Sequence, residues 1–266
     1  PMLMSATTLA VLMCSYNRKA RTLAALAALF AQQVPAPYQL QVFLLDDGSS
    51  DGTADAVTSS YPQVCLLHGN GQLYWNGAMR LAWQHALTQL PDASAFIWLN
   101  DDVLLDDDAL LRLIQAWQLA TRQTEKPVGA VVGAMREPGT VRLSYGGRRR
   151  HSVLQPLRLG PVLTASAQLQ RCDFINGNWC LIPAAVVAEI GILSPQFTHS
   201  MGDYDYGLRA VQAGFLLYLA PGSFGECAAN SGRGGVLDAA LPMAQRLKML
   251  NQPNRWPPAE EWRAFV

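Results

Sequence analysis

Apolar residues in the first half of the chain come in short unbroken runs, separated by longer stretches where they recur every three or four positions. Leu9–Cys14 (LAVLMC), Leu40–Leu45 (LQVFLL), Val64–His68, Phe96–Leu99 (FIWL) and Val128–Met135 have the length and composition of buried strands. Between them, Lys19–Gln32, Thr53–Ser60, Asn76–Leu90 and Asp107–Thr121 read as helices. Ser50 or Asp51 is placed to cap the second helix and Pro91 stops the third. Acids fall in the first turn of the fourth, where the helix dipole favours them.

Strand–helix alternation with continuously apolar strands predicts an α/β fold: a mostly parallel central sheet flanked by helices. The rhythm breaks at Pro138–Arg171, which reads as a hairpin or an excursion over the sheet. Beyond it come a strand (Phe174–Ile182), a helix after Pro183 (Ala184–Ile190), a helix ended by Gly214 (Tyr204–Ala213) and a strand (Phe215–Leu219). Pro221–Gly235 reads as a Gly-rich loop, Leu237–Leu250 as a last helix and Asn251–Val266 as an irregular tail.

Composition narrows this picture. A length of 266 residues with 50% hydrophobic content fits one larger α/β domain. Charged residues make up 15%, below the usual value of about 25%, which excludes a disordered chain. A formal net charge of +0 excludes a strongly basic nucleic-acid binder, so no nucleic-acid partner is expected. That zero joins two opposed halves: residues 1–125 carry 6 basic and 11 acidic residues, residues 126–266 carry 14 and 9. Residues 126–171 hold eight basic residues and one acid, Glu137. There Arg148-Arg149-Arg150 reads either as a solvated loop or as the complement of an anionic acceptor or membrane face. Five cysteines without a CxxC read as free thiols in a reducing compartment. Pro1-Met2 reads as a cloning scar, and no secretion signal or 18-residue apolar run is found.

In parallel sheets ligands bind beyond the carboxyl ends of the strands. Ser15-Tyr16-Asn17-Arg18 follows the first strand, Asp46-Asp47-Gly48-Ser49-Ser50-Asp51-Gly52-Thr53 the second, and Asn100-Asp101-Asp102 the fourth. Carboxylates crowded at one edge repel, and a divalent cation relieves that repulsion while binding phosphate oxygens. Two blander readings remain open: the Asp/Gly/Ser run as a turn and helix cap, and Asn100–Asp102 as a cap. Asp106, Asp107 and Asp108 already serve the second purpose. A GxGxxG after the first strand, a P-loop, a GxSxG and metal-type His spacing are all absent, which excludes the common nicotinamide, NTPase, hydrolase and zinc signatures.

CSYNR, LLDDGSSDGT, FIWLNDDV, FINGNWCLIP and MGDYDYGLRAVQAGF, spread over about residues 9–227, resemble a GT-A-fold (Rossmann-like) inverting glycosyltransferase of family 2. GNGQLYWNGAMRLA (Gly69–Ala82) resembles the rhamnosyltransferase subset. The resemblance implies one domain over 1–266: a nucleotide-sugar donor half at about 9–125, an acceptor half at about 126–235, and a C-terminal helix and tail at about 236–266. It implies that Asp47 accepts the pyrimidine ring N–H, that Tyr16 lies against the base with Cys14 at the start of the same loop, and that Asn17, Arg18, Gly71, Trp75, Asn100 and Asp101 complete the donor pocket. It further implies Asp102 as ligand to Mn2+ or Mg2+, and Asp203 as the general base that deprotonates the acceptor hydroxyl before direct, inverting attack. Asn176, Gly177, Trp179 and Asp205 are the expected acceptor contacts.

Two departures stand out. Gly202 occupies the place of the family's Glu, and Gly225-Glu226-Cys227 lacks the family's metal-ligand His, leaving Cys227, Glu226 or water as substitutes. Several side chains keep two readings: Trp75 and Trp179 as core or pocket, Arg209 as an acid's partner or a phosphate contact, Asp203 and Asp205 as helix-start acids. The expected partners are a UDP- or dTDP-linked sugar donor and a glycan or lipid-linked saccharide of cell-surface polysaccharide synthesis, with other polysaccharide-assembly proteins beside them. The expected place is cytoplasmic, with peripheral attachment to the cytoplasmic membrane face as the open extension. The competing functions are a sugar-phosphate nucleotidyltransferase and a non-catalytic nucleotide-sugar or glycan-binding module.

Overall fold

The computed structural model describes residues 6–152, 154–230, 236, 238–250 and 252–265. Pro1-Met2, the last part of the expected Gly-rich loop (231–235) and Leu237 lie outside the described residues.

In chain order the elements are β1 (Thr7–Ser15), α1 (Lys19–Phe30), β2 (Tyr38–Asp46), α2 (Thr53–Ser60), β3 (Cys65–His68), α3 (Tyr74–Gln89), β4 (Ala95–Leu99), β5 (Leu104–Leu105), α4 (Ala109–Gln123) and β6 (Val128–Arg136). The second half adds β7 (Leu143–Tyr145), β8 (Gly147–Ser152), β9 (Gln155–Val162), β10 (Gln170–Cys172), β11 (Phe174–Ile175), β12 (Trp179–Pro183), α5 (Ala184–Ile190), α6 (Gly202–Gln212), β13 (Leu216–Glu226), α7 (Met243–Met249) and α8 (Ala259–Phe265).

The main sheet runs β10-β13-β6-β12-β4-β1-β2-β3, with β5 on β13 and β7 on β6. β1 pairs in parallel with β2 and β4, β2 with β3, and β6 with β13. β12 lies antiparallel between β4 and β6, so β6 points the same way as β4. Alternating side chains of β1 feed two cores: Leu9, Val11 and Met13 pack with α1 and α4, while Ala10 and Leu12 pack with α3, α5 and α6. Apolar burial on both faces is why these strands read as unbroken runs.

From β1 the chain proceeds outward through β2 and β3, then returns to place β4 on the other side of β1. The carboxyl ends of β1 and β4 therefore flank the topological switch point, where such sheets bind ligands.

Several expected features differ. Phe174–Ile182 is two strands, β11 and β12, broken by Asn176-Gly177-Asn178. β11 joins β8 and β9 in a small second sheet, which accounts for the segment that broke the strand–helix rhythm. β13 continues through Pro221–Glu226, where a loop was expected, because β6 and the unforeseen β5 pair with it. The acids at 106–108 precede α4 instead of occupying its first turn, and Asp106 and Asp108 pair with Arg136 and Arg112. The cap position of α2 is Gly52, at φ +80°; Asp51 beside it accepts the Thr53 and Lys19 N–H groups. The tail holds α8, and the expected helix 237–250 is described as helical only over α7. All five cysteines are free. Among the described residues no helix is long and apolar enough to cross a membrane.

Candidate active site

The loops after β1 and β4 meet across the switch point. Arg18 Nη1 reaches Asp101 Oδ1 at 3.0 Å and Asp102 Oδ2 at 3.2 Å. Burial works against the Arg18 charge, but the two carboxylates outweigh it and raise its pKa. Asp101 is buried, and desolvation lifts its pKa to about 6 against the opposing pull of Arg18. The Cys14 thiol is pushed well up by burial and then by Asp101, which puts it at the floor of this acidic cluster as a thiol. Tyr16, on the same loop, is 52% exposed.

The loop after β2 is built by its own polar side chains. Asp47 is buried; Oδ1 accepts the Gly71 N–H at 2.9 Å, and Oδ2 accepts those of Leu73 and Tyr74 at 2.9 and 3.1 Å. A carboxylate offers about four acceptor positions, so this one has room for a single further donor. Its main role is to anchor 71–74 and start α3. Gly71 follows suit: φ is +84° and its N–H is engaged by Asp47. Asn17 likewise ties the first loop to the second, its N–H bonding Ser49 Oγ and its Oδ1 accepting the Ser50 N–H. Asn17 and Gly71 thus help to frame the two loops in addition to the donor contact expected of them.

The Asn176-Gly177-Asn178 corner links the remaining parts. Asn176 Oδ1 accepts the Gly146 N–H at 3.2 Å and its Nδ2 donates to Tyr204 Oη at 3.1 Å. The Gly177 N–H donates to Asp203 Oδ2 at 3.0 Å. The Asn178 carbonyl accepts the Asn100 N–H, and its Nδ2 donates to Cys227 Sγ at 3.4 Å. Trp75 closes the group: Nε1–H donates to Asn100 Oδ1 at 2.8 Å, its ring meets Trp98 edge-on, and it covers Gly177 so closely that a Cβ there would lie 2.5 Å from Cζ2. Burial raises the Asp203 pKa to about 6, although the Gly177 and Tyr204 N–H groups favour the anion.

Three expected acceptor contacts are corrected. Trp179 is 0% exposed, because it lies on a central strand packed on both faces. Asn176 is 5% exposed and its amide is engaged inside the protein. Asp205 pairs with Arg209 at 2.8 Å, and that guanidinium also donates to the Ile190 and Ile192 carbonyls. Gly177 meets Asp203 through its backbone and Trp75 through its surface. Residues that strand-end reading missed include Asn178, Tyr204 and His199. Nothing marks the last in sequence except its nearness to Asp203.

A divalent cation can be tested against these donors. Asp102 and Asp101 suit a hard ion that takes one or two carboxylates and completes its shell with phosphate oxygens and water. Among the described residues no group of three or more His, Cys, Asp or Glu gathers around one point. Cys227 does not fit. It is buried, its thiol donates to Asp102 Oδ1 at 3.5 Å, and burial followed by the Asp102 charge raises its pKa. A soft sulfur ligand is a poor match for Mn2+ or Mg2+, which favour carboxylate, carbonyl and water oxygens. Its expected ligand role is corrected to that of a hydrogen-bond donor to Asp102. Glu226 points away, toward Arg136 and Gly139.

The departure at Gly202 has a steric cause. A Cβ there would land on Asn76 Oδ1 and 2.8 Å from Asn76 Cγ. Asn76 is fully buried and binds the carbonyls of Ser194 and Phe197.

Comparison with known proteins agrees with this geometry. Two curated relatives, the N-acetylglucosaminyl-diphospho-decaprenol L-rhamnosyltransferases of Mycobacterium tuberculosis strains CDC 1551 / Oshkosh and ATCC 25618 / H37Rv, are 26% identical over 203 residues. The match takes in 68% of this chain and spans 64% of the relatives' length. A mannosyltransferase of Pyrobaculum calidifontis, PcManGT, solved with GDP-Man and Mn2+, shares the fold at a TM-score of 0.59 and 16% identity, covering 87% of this chain and 59% of that one. S. aureus TarS 1–349 with UDP does so at 0.59 and 12%, covering 92% and 70%. The model of glycosyl transferase family 2 matches residues 10–177, and the chain belongs to that family.

Proposed function

We propose that the chain transfers a sugar, with inversion, from a nucleotide-sugar to a hydroxyl of a glycan or lipid-linked saccharide in cell-surface polysaccharide synthesis. The observation that carries this reading is Asp203: an enclosed carboxylate, oriented by the Gly177 N–H, in the corner that also holds Trp75 and Asn100. Its pKa near 6 leaves it ionised at neutral pH, yet more basic than an ordinary carboxylate.

In this reading Tyr16 stacks on the base, and a ring N–H takes the acceptor position left on Asp47. The acceptor hydroxyl donates its proton to an Asp203 oxygen as its own oxygen bonds to the anomeric carbon. The bond to the nucleoside diphosphate breaks on the opposite face, and that bonding pair leaves with the phosphate. Asp102, with Asp101, would hold Mn2+ or Mg2+, which supplies Lewis-acid charge for the departing diphosphate. Arg18 already neutralises the carboxylates and can turn its guanidinium toward phosphate oxygens. The donor is UDP- or dTDP-linked in this reading; neighbours that hold UDP and GDP-Man support a nucleotide-linked donor, and the relatives' names support a lipid-linked acceptor. Peripheral attachment at the cytoplasmic membrane face belongs to the same proposal, as do one domain over 1–266 and further polysaccharide-assembly partners.

The test is a transfer assay with a panel of nucleotide-sugars and lipid-linked saccharides, with and without Mn2+, beside calorimetry of nucleotide binding. Metal-dependent transfer abolished by Asp203→Asn is the expected result. Tight nucleotide binding without transfer to any acceptor would favour the non-catalytic module instead.

A further inference from the structure

The segment 194–201, which leads into α6 and Asp203, is fastened on two sides. Asn76 Nδ2 donates to the carbonyls of Ser194 and Phe197, and the Asn76 N–H donates to that of Thr198. Arg80 holds the Leu193 carbonyl. From α8, Glu261 Oε1 accepts the Thr198 N–H at 2.8 Å. His199 is therefore presented by a braced segment.

Its ring is half-buried and lies edge-on to Tyr74, with centroids 6.2 Å apart. Nδ1 accepts the Trp75 N–H at 3.4 Å. An imidazole that accepts at Nδ1 and is neutral carries its proton on Nε2. Two influences keep it neutral: burial and the positive charge of Arg18 together lower its pKa to about 4. Nε2 has no hydrogen-bond partner among the described residues. A half-buried, uncharged N–H donor thus stands within the field of the guanidinium that spans Asp101 and Asp102. Tyr74 and Trp75, which contact it, begin the helix anchored by Asp47.

A lone donor beside a guanidinium selects an anionic acceptor, and an uncharged donor adds a hydrogen bond without adding repulsion to Arg18 or to a cation. We propose that His199 is a binding residue for the donor's diphosphate, with Nε2–H donating to a phosphate oxygen while Arg18 supplies the charge. This rests on the nucleotide-sugar reading above. It places one diphosphate contact on the segment that carries the base, so the two halves of the site close on the same ligand.

The probes are UDP, dTDP and GDP, each titrated with Mn2+ into the wild-type chain, His199→Ala and His199→Gln, the last keeping a neutral N–H donor. Loss of a hydrogen bond to a charged acceptor predicts about 10- to 100-fold weaker binding for the Ala variant, with part regained by Gln. Imidazole 1H–15N correlation gives a second readout. The chain has four histidines, and the signal missing from His199→Gln should show Nε2 protonated and should shift on nucleotide addition. Binding to His199→Ala within about twofold of wild type, or an Nε2 signal unmoved by a nucleotide that binds, overturns the proposal alone. Failure of all three nucleotides to bind the wild-type chain overturns the nucleotide-sugar reading and this inference with it.

Discussion

Gly202→Ala tests whether the missing family acid is a steric necessity. The added Cβ meets Asn76 Oδ1, and Asn76 cannot simply swing aside: its Nδ2 donates to the Ser194 carbonyl at 2.9 Å and the Phe197 carbonyl at 2.6 Å, all within a fully buried residue. Each lost bond costs about 1 kcal/mol net, and each carbonyl left buried without a donor costs about 1–3 kcal/mol. Ala's helix preference over Gly returns at most about 1 kcal/mol. With both bonds broken the balance is a loss of about 3–7 kcal/mol, or a Tm lowered by about 6–28 °C for a chain of this size. Gly202→Glu should be worse, since its side chain would follow Cβ toward an oxygen that has no donor. Thermal and urea unfolding of Gly202→Ala, Asn76→Ala and the double variant would measure this as a cycle. With the Asn76 amide removed, the Gly202 substitution should cost less than about 0.5 kcal/mol, a coupling of at least about 1.5 kcal/mol. A Gly202→Ala chain as stable as wild type, or additive single effects, would refute the reasoning.

Asp203→Asn should abolish transfer while leaving nucleotide affinity within about threefold, read by transfer assay and calorimetry. The Asp203 pKa is raised to about 6, so kcat/KM should climb about tenfold per pH unit below 6 and level off above it. The stability term runs the other way: a raised carboxyl pKa favours the folded state most below the unfolded value of about 3.9, and that benefit disappears as pH rises through 6. Gly177→Ala should displace Trp75 and break its bond to Asn100, lowering stability by about 1–3 kcal/mol with a blue-to-red shift in Trp emission. An unchanged spectrum and Tm would contradict the packing at that corner. Asp205→Asn should leave kcat within about twofold and lower Tm by a few degrees through loss of the Arg209 pair. A large fall in kcat with unchanged Tm would reinstate Asp205 as an acceptor contact.

How much of this was readable in the sequence depends on what surrounds each segment. β1, β2, β4 and β6 are covered on both faces, so their apolar runs announce them, and the polar residues after β1 together with the acids after β4 mark the switch point without further help. β8 carries Arg148, Arg149 and Arg150 on a small sheet with a solvent face, where no apolar run can form. The break at Asn176–Asn178 is invisible because Phe174-Ile175 and Trp179–Ile182 are both buried and read as one run. Site residues were legible by type but not by use. Asp47, Asn17 and Asn176 are the polar groups one expects at a binding site, yet their side-chain oxygens accept backbone N–H groups of neighbouring loops, which only the fold reveals. His199 went unread because its partner, the Trp75 N–H, lies 124 positions away.

The three-residue corner between β11 and β12 has a mechanical consequence. Asn176 and Gly177 touch Tyr204 and Asp203, while Asn178 touches Asn100 and, through Cys227, the Asp102 carboxylate. Three residues span at most about 10 Å of chain, so the Asp203 carboxylate and the groups around Asn100 and Asp102 hang from one short bracket. A displacement of that bracket carries both together and cancels in the distance between them. In the proposed reaction that separation sets the spacing between attack at Asp203 and departure at the Asp102 side, so it is fixed by the corner and not by the surrounding loops.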